Sequence, residues 1–230
     1  MRLLGVLGGM SWTSTAEYYR LLNHGVASRL GGLHSARIVL HSVDFEPVAA
    51  MQHDGNWNGT AHVLVEAARG LERAGAEGLV LATNTMHKVA DQIQAATDIP
   101  LLHIADATAA RIRADGVSSV ALLATAFTME EDFYIGRLRA RGLEVITPGA
   151  AERADVHRII YEELCQDVVL DSSRARFRTV MDRLVRHGAQ GIILGCTEIG
   201  LLVKSGDASV PLYDTAAIHA EEAVSWMLAP

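Results

Sequence analysis

A cysteine ends one of the most apolar runs of the sequence, GIILGC (191–196), and the polar residues Thr197 and Glu198 follow it. A free thiol has a pKa of about 8.5, which the backbone amides at the start of a following helix can lower. A thiolate at this position could act as a nucleophile or as a general base. The alternative is that Cys196 is a small buried hydrophobic residue, a common role of free cysteine. The polar residues directly after it favour chemistry.

A near copy of this segment lies earlier in the chain. RAGAEGLVLATNTM (73–86) aligns with HGAQGIILGCTEIG (187–200) at an offset of 113 positions, which places Thr83 on Cys196. A threonine hydroxyl does not ionise near neutral pH, but it can donate or relay a proton or hold a water molecule. Asn84 and Thr85 supply hydrogen-bond donors that could hold a carboxylate. Threonine is also common in strands, so Thr83 has a purely structural alternative.

Further polar or flexible residues follow two other apolar runs. Gly8 ends the first run and is followed by Gly9, Met10 and Ser11, and Thr125 ends the fifth run. Glycines at the start of a helix let backbone N–H groups approach an anion closely. The spacing in GVLGGMS fits neither a dinucleotide-binding nor a P-loop motif, because the glycines are misplaced and no lysine follows.

The sequence contains no pattern that calls for a metal or an organic cofactor. The ten histidines show no metal-ligand spacing, and His87, His103 and His219 are each expected to be structural hydrogen-bonding residues. No lysine stands out as a Schiff-base residue. Cys165, in IIYEELCQDVV, is expected to be a helical packing residue.

The elements that must position these residues alternate along the chain. Near-continuous Val, Ile and Leu runs are typical of strands buried on both faces of a parallel sheet, and amphipathic segments separate them. The alternation predicts an α/β fold, doubly wound. Ser14 with Glu17 and Thr128 with Glu131 have capping-box spacing, and Gly75 and Gly142 follow helical patterns where a helix should end. The predicted strands are 2–8, 36–44, 77–83, 100–106, 118–125, 143–149, 191–196 and 210–214.

A second internal similarity supports a duplicated architecture. Residues 3–22 align with 119–138 at an offset of 116, close to the offset of the first pair. We predict two pseudo-equivalent α/β halves, the first from residues 1–99 plus 211–230 and the second from 100–210. Ligands of open α/β sheets bind beyond the carboxyl ends of the strands. In a site between the halves, Thr83 and Cys196 would flank one small ligand from opposite sides.

The composition narrows the class of protein. Half of the 230 residues are hydrophobic, and the formal net charge of −7 is spread over interspersed acids and bases. There is no basic patch for nucleic acid or an anionic membrane. With two cysteines, no signal-peptide pattern and no apolar run near 18 residues, we expect a cytoplasmic protein with reduced thiols.

With these motifs assembled, the chain resembles the aspartate/glutamate racemase family of cofactor-independent amino-acid racemases. The resemblance extends over essentially the whole chain and is densest at GVLGGMSWTST, TNTMHKVAD, LLHIADAT and GCTEIGLLV. It implies two pseudo-symmetric α/β halves with the active site in the cleft between them, a homodimer, a small amino-acid substrate and no cofactor or metal.

The resemblance also implies roles for individual residues. Members of the family commonly carry one cysteine per half, on opposite faces of the substrate Cα. Cys196 matches the second-half cysteine, usually assigned to the L-face, and Thr83 stands where the first-half cysteine would be. Such a threonine is found in a subgroup associated with L-aspartate and L-glutamate, and Glu198 fits the aspartate-type pattern.

Two positions depart from the family pattern. Gln52 falls in the loop that often supplies an arginine to the side-chain carboxylate of the substrate, and Cys165 falls near a position that is often lysine. The loss of both basic contacts would permit a broader specificity.

The predicted activity is racemisation of L-aspartate or L-glutamate, with Cys196 and Thr83 as catalytic residues. The predicted substrate-binding residues are Met10, Gln52, Asn84, Thr85, Thr125, Thr197 and Glu198. Two alternatives remain open: a single-cysteine decarboxylase of the arylmalonate type on the same scaffold, and a ligand-binding protein that has lost the chemistry.

Overall fold

A computed structural model describes all residues of the chain, 1–230. Backbone contacts divide it into two compact units. The first unit comprises Met1–Ile104 with His219–Pro230, and the second comprises Ala105–Ile218. None of the helices is both long enough and apolar enough to cross a membrane.

Each of the eight predicted apolar runs contains one strand. The strands are β1 (Leu4–Gly8), β2 (Ile38–Ser42), β3 (Gly78–Leu81), β4 (Leu101–Leu102), β5 (Ser119–Leu123), β6 (Glu144–Ile146), β7 (Gly191–Leu194) and β8 (Leu212–Asp214).

The helices lie between the strands in the chain. They are α1 (Trp12–Leu30), α2 (Phe45–His53), α3 (Trp57–Arg73), α4 (Ala90–Ala95), α5 (Ile104–Ala114), α6 (Ala126–Glu130), α7 (Asp132–Ala140), α8 (Ala150–Glu162), α9 (Asp171–Arg186), α10 (Ile199–Leu202) and α11 (Thr215–Leu228). Short 3-10 helices span Thr85–Val89, Leu164–Gln166 and Ser205–Asp207.

The two sheets have the same topology. The first has the order β2-β1-β3-β4, the second has the order β6-β5-β7-β8, and all pairs are parallel. The central strands β1, β3, β5 and β7 are buried along their whole length, which accounts for their near-continuous apolar sequence. The predicted α/β fold of two similar halves is therefore confirmed.

The division between the halves differs from the predicted boundaries. Strand β8 pairs with β7, so residues 212–214 belong to the second sheet, whereas the prediction assigned 211–230 to the first half. The later part of α11 lies in the first unit, where Trp226 packs over Gly78 and Val224 contacts Gly25. The strand that precedes α11 is too short to have revealed its sheet by sequence pattern alone.

Helix ends were predicted better than helix starts. Gly75 and Gly142 follow α3 and α7 with φ of +91° and +83°, which confirms both predicted stops. Helix α1, however, begins earlier than the Ser14–Glu17 spacing indicated, because Ser11 is the N-cap and its hydroxyl accepts from Ser14 N. Thr128 lies inside α6, so it is not the predicted cap of α7 either.

Candidate active site

The parallel register of the second unit places Thr125 and Cys196 at the same edge of the sheet. Leu123 of β5 pairs with Leu194 of β7, and each of the two polar residues lies two positions beyond that pair. A hydrogen bond from Gly195 N to Leu123 O, 2.7 Å long, joins the two strand ends. The loops that begin at Thr125 and Cys196 therefore leave neighbouring strands side by side.

Cys196 and Glu198 form a thiol–carboxylate pair. The Cys196 Sγ lies 2.9 Å from Glu198 Oε2, and the Thr197 hydroxyl lies 2.7 Å from the same oxygen. A carboxylate can only accept, so both the thiol and the hydroxyl donate to it. Cys196 is 9% exposed and Glu198 is 4% exposed, so the pair is largely shielded from water.

The surroundings of Cys196 favour the thiol over the thiolate. Burial is the main cause that raises the pKa of Cys196 well above its ordinary value, and the charge of Glu198 raises it further. The Glu198 backbone amide lowers this pKa, as expected for an amide at a helix start, but the net change is upward. The following helix, α10, has only four residues, and its influence is outweighed by burial and by the neighbouring carboxylate.

Two residues near the thiol were not recognised from the sequence as site residues. Cys165 lies in the 3-10 helix that packs against α10, and burial followed by the charge of Glu198 raises its pKa to about 12. Burial also raises the pKa of Tyr161, and the charges of Cys196 and Cys165 add to that effect. The sequence pattern predicted a helix through Cys165, whereas α8 ends at Glu162 and Cys165 lies in the separate 3-10 helix that follows.

Thr125 occupies the N-terminus of α6. Its carbonyl accepts from Thr128 N and Met129 N, both at 3.0 Å, and its hydroxyl lies 3.3 Å from the Thr128 hydroxyl. The next amide, Ala126 N, donates to His157 Nδ1 at 3.1 Å. Thr125 is 5% exposed, and its substrate-binding role stays a prediction.

The first unit repeats the same strand-end geometry. Leu7 of β1 pairs with Leu81 of β3, and Gly9 and Thr83 each lie two positions beyond that pair. Ala82 N donates to Leu7 O at 2.9 Å, as Gly195 N does to Leu123 O in the second unit. Leu123 is 116 positions after Leu7 and Leu194 is 113 after Leu81, so the two sequence offsets correspond to two pairs of equivalent strands.

His87 holds the backbone that carries Thr83. His87 Nδ1 lies 2.8 Å from Thr83 O, and Ile104 N lies 3.3 Å from His87 Nε2. A carbonyl accepts and an amide N–H donates, so His87 is neutral with its proton on Nδ1. Asn84 and Thr85, which open the following 3-10 helix, are 3% and 7% exposed. His87 therefore has the structural role predicted for it, because its two ring nitrogens fix the loop around Thr83.

The glycines after β1 allow neighbouring parts of the chain to pack closely. Gly9 N donates to Thr15 Oγ1 at 2.8 Å, so this amide is already used within the protein. A Cβ on Gly9 would overlap the backbone of Val43, and one on Gly8 would overlap the side chain of Thr15. The Gly9 amide is therefore committed to Thr15, and the role of the other backbone N–H groups of this turn in binding an anion stays a prediction.

Met10 and Gln52 lie on the buried side of the first unit. The Met10 side chain, 6% exposed, shares an apolar cluster with Val48 and Met86. Gln52 is one helical turn after Val48 on α2 and is 2% exposed. Its Oε1 is buried without a hydrogen-bond partner. A buried, unpaired amide oxygen is costly, and a polar ligand group could satisfy it, but the substrate-binding role of Gln52 stays a prediction.

The family model described as Asp/Glu/hydantoin racemase matches residues 7–223. The chain belongs to this racemase family. The match includes both strand-end loops, with Thr83 in one and Cys196 in the other.

Several relatives of this racemase family align with the whole chain. A crystal structure of a candidate Asp/Glu racemase from Yersinia pestis is 53% identical, with a TM-score of 0.93 and complete coverage of both chains. An aspartate racemase homologue from Pyrococcus horikoshii is 35% identical, with a TM-score of 0.86 and complete coverage of both chains. The broad-specificity amino-acid racemase RacX of Bacillus subtilis is 26% identical over 235 residues, or 99% of each chain.

Family membership and these relatives support an isomerase of the amino-acid racemase type. Within that class, the structure distributes the predicted site residues over two sets. The second unit holds Thr125, Cys196, Thr197 and Glu198. The first unit holds Met10, Gln52, Thr83, Asn84 and Thr85.

Proposed function

We propose that the protein racemises L-aspartate and L-glutamate by removing the Cα proton on one face and returning a proton on the other. The observation that carries the proposal is the hydrogen bond between the Cys196 thiol and the Glu198 carboxylate at a strand end equivalent to that of Thr83. Glu198 is a proton acceptor directly beside the Cys196 thiol. The equivalent position in the first unit supplies a hydroxyl.

The first step is the deprotonation of the substrate. Glu198 takes the proton of Cys196, and the resulting thiolate removes the Cα proton of the L-amino acid. The electron pair left on Cα moves into the α-carboxylate and gives an enediolate-like anion. Asn84, Thr85, the Thr197 backbone amide and backbone amides near Met10 hold this carboxylate, and donors of this type contribute on the order of 3–4 kcal/mol each in comparable oxyanion sites.

The second step returns a proton to the opposite face. The Thr83 hydroxyl, or a water molecule that it holds, donates a proton to Cα, and solvent then reprotonates the oxygen while Glu198 releases its proton to solvent. A hydroxyl is a weaker acid than a thiol, and proton transfer is most efficient when the pKa values are matched. The raised pKa of Cys196 also lowers the population of thiolate. Both effects point to a slow enzyme with two unequal proton-transfer groups.

Recognition of the substrate side chain rests on uncharged residues. Gln52 and Cys165 replace positions that are often basic in the family, so the substrate carboxylate would meet an amide rather than a guanidinium. Gln52 can donate to a carboxylate or accept from an amide or hydroxyl group. Broad-specificity RacX is also a relative. We therefore rank aspartate and glutamate first and expect activity on other polar amino acids.

The deciding experiment follows deuterium from D₂O into the α-position by NMR, with a panel of L- and D-amino acids. Wild type should exchange the α-proton of aspartate and glutamate fastest. Cys196→Ala should abolish exchange while retaining ligand binding by calorimetry. Binding without any exchange in wild type would indicate a ligand-binding protein instead, and release of CO₂ from a malonate would indicate a decarboxylase.

Progress curves give an independent check on simple racemisation. Enantiomers in water have an equilibrium constant of one, so kcat/KM must be equal in the two directions. A preference for the L-form can appear only in kcat and KM separately. Curves that start from L- and D-aspartate should settle at the same ratio, and different end points would exclude the mechanism.

A further inference from the structure

Glu198 is a buried carboxylate that must release, in every turnover, the proton that it takes from Cys196. Until that proton has left, the carboxylate cannot accept the next one. Glu198 is 4% exposed, so it has little direct contact with bulk water. The proposed mechanism therefore needs a group that connects this carboxylate to solvent.

The Thr197 hydroxyl contacts the same oxygen atom of Glu198 that accepts from the thiol. Cys196 Sγ lies 2.9 Å from Glu198 Oε2, and Thr197 Oγ1 lies 2.7 Å from that atom. A proton that moves from the thiol thus arrives on the oxygen that the hydroxyl already contacts. The carboxyl group does not have to rotate to bring the two together.

Thr197 differs from both of its neighbours in exposure. Cys196 and Glu198 are buried, whereas Thr197 is half-buried. The turn that carries all three is held by its backbone, because Ile199 N donates to Cys196 O at 3.1 Å and Leu201 N donates to Glu198 O at 2.9 Å. Thr197 is therefore fixed between the buried carboxylate and solvent.

A hydroxyl group can pass on a proton without becoming an ion. It has one hydrogen to donate and two lone pairs that accept, and the hydrogen rotates to suit its partners. While Glu198 is a carboxylate, the Thr197 hydroxyl donates to it. When Glu198 is protonated, the hydroxyl can accept from Glu198 and donate its own hydrogen to a water molecule.

We propose that the Thr197 hydroxyl relays protons between Glu198 and solvent, an inference that rests on the proposed racemase function. The O–H bond of protonated Glu198 breaks as a new O–H bond forms on Thr197, and the original hydroxyl hydrogen leaves as a proton on water. The products are a Glu198 carboxylate, a neutral threonine and one proton in solvent. With a D-substrate the reverse sequence delivers a proton from solvent to Glu198.

Cys165 and Tyr161 are the competing route out of the pair. The charge of Glu198 acts on both of them, and the 3-10 helix that carries Cys165 packs against α10. Thr197 is favoured because its hydroxyl is already hydrogen-bonded to Oε2, the atom that takes up the proton. The experiment must therefore compare the two routes.

Deuterium in the recovered L-substrate reports the relay. In D₂O the enediolate-like anion receives a proton on either face, and D-aspartate takes deuterium from the Thr83 side. L-Aspartate that returns with deuterium shows that the hydrogen on Cys196 exchanged with solvent before it went back to Cα. The ratio of deuterated L-aspartate to D-aspartate, measured early in the reaction by NMR and chiral chromatography, compares this exchange with a step that does not use Thr197.

Thr197→Val keeps the shape of the side chain and removes the hydroxyl. Its ratio should fall on the order of tenfold or more, because a positioned proton-transfer group contributes roughly 10²- to 10⁴-fold. Thr197→Ser keeps a hydroxyl and should stay near the wild-type ratio. Thr197→Ala leaves room for a water molecule, so its ratio should lie between those of Thr197→Ser and Thr197→Val.

Thr179→Val is the matched control. Thr179 is an exposed threonine of α9, and its hydroxyl donates to Ala175 O at 3.1 Å. The same change of side chain at this position should leave the ratio unchanged.

The outcomes separate the relay from the other roles that Thr197 could have. A hydroxyl that only binds the substrate would raise KM in Thr197→Val and leave the ratio unchanged, and this result overturns the relay. A ratio lowered by Cys165→Ala but not by Thr197→Val would place the exit on the other side of Glu198 and also overturns it. If Thr197→Val fails to fold by circular dichroism, equal ratios in Thr197→Ser and Thr197→Ala overturn the relay instead.

Failure of the proposed function has a different signature. A wild type that exchanges no α-proton of any amino acid overturns the racemase proposal and the relay with it. An active wild type whose ratio survives in Thr197→Val overturns the relay alone.

Discussion

The Cys196 thiol and the Glu198 carboxylate hold one proton between them, and this pair governs how the thiol responds to pH. Burial and the negative charge of Glu198 both raise the pKa of Cys196. The carboxylate thus has two opposing effects, since it accepts the proton of the thiol and also makes the thiolate harder to form.

Glu198→Gln should lower the pKa of Cys196, because it removes an adjacent negative charge. The thiolate absorbance near 240 nm, taken as the difference from Cys196→Ala in a Cys165→Ser background, reports this titration. Thr197→Val keeps the charge and should shift the midpoint less. An unchanged midpoint in Glu198→Gln would contradict the electrostatic account.

Thr83→Cys should raise kcat for the D-enantiomer, because a thiol is a much stronger acid and base than a hydroxyl. The measurement is α-deuterium incorporation started from D-aspartate and from L-aspartate. Thr83→Ser retains a hydroxyl and is the control, with activity near wild type. If Thr83→Cys leaves the D-side rate unchanged, the proposed role of Thr83 as proton donor fails.

At the scale of elements, the turns after the central strands are set by close backbone contacts. The turn from β1 to α1 passes so near the end of β2 that Gly9, with φ of +95°, has no room for a Cβ beside Val43. The corresponding turn after β5 begins with Thr125 instead. Equivalent strand ends therefore carry different residues.

Gly9→Ala should lower the free energy of unfolding by roughly 2–4 kcal/mol, since steric overlap adds to the strain of a positive φ. Gly55→Ala is the matched control, with φ of +69° and nothing within 4 Å of the Cβ position. It should cost only about 1 kcal/mol. Urea denaturation measures both, and equal losses would show that the contact with Val43 is not limiting.

At the scale of the whole molecule, a buried histidine ties the last helix to the first unit. His219 Nε2 lies 2.8 Å from Leu102 O, and the Tyr18 hydroxyl lies 2.9 Å from His219 Nδ1. The carbonyl fixes the proton on Nε2, so Tyr18 donates to Nδ1 and the ring is neutral. The His87 ring lies 6.0 Å away, centroid to centroid. Burial lowers the pKa of His219 to about 4.

The protein should lose stability as the pH falls from about 6.5 to about 4. In that window the unfolded state binds a proton at His219 and the folded state does not. The free energy of unfolding therefore decreases as the pH is lowered. The loss should reach about 3 kcal/mol from this residue. Urea denaturation at pH 7 and pH 4.5 should show a smaller difference in His219→Gln than in wild type. His24→Gln, an exposed substitution on α1, should keep the wild-type difference.

The sequence by itself determined the architecture and the positions of the reactive residues. Strands that are buried on both faces are near-continuous runs of apolar residues, which can be recognised in the sequence. The two offsets of the internal repeat match two pairs of equivalent strands. The positions of Thr83 and Cys196 followed from the same logic, because a polar residue directly after a buried parallel strand must lie at the edge of the sheet.

Only the tertiary structure decided the state of those residues. The pKa of Cys196 depends on its burial and on the Glu198 side chain turning back onto the thiol, and neither is encoded in the spacing of two positions. Likewise, the Gly9 amide is used by Thr15, β8 joins the second sheet, and Tyr161 and Cys165 lie near Glu198. Strand identity is a local property of the chain, whereas electrostatics, hydrogen-bond partners and sheet membership depend on groups brought together by folding.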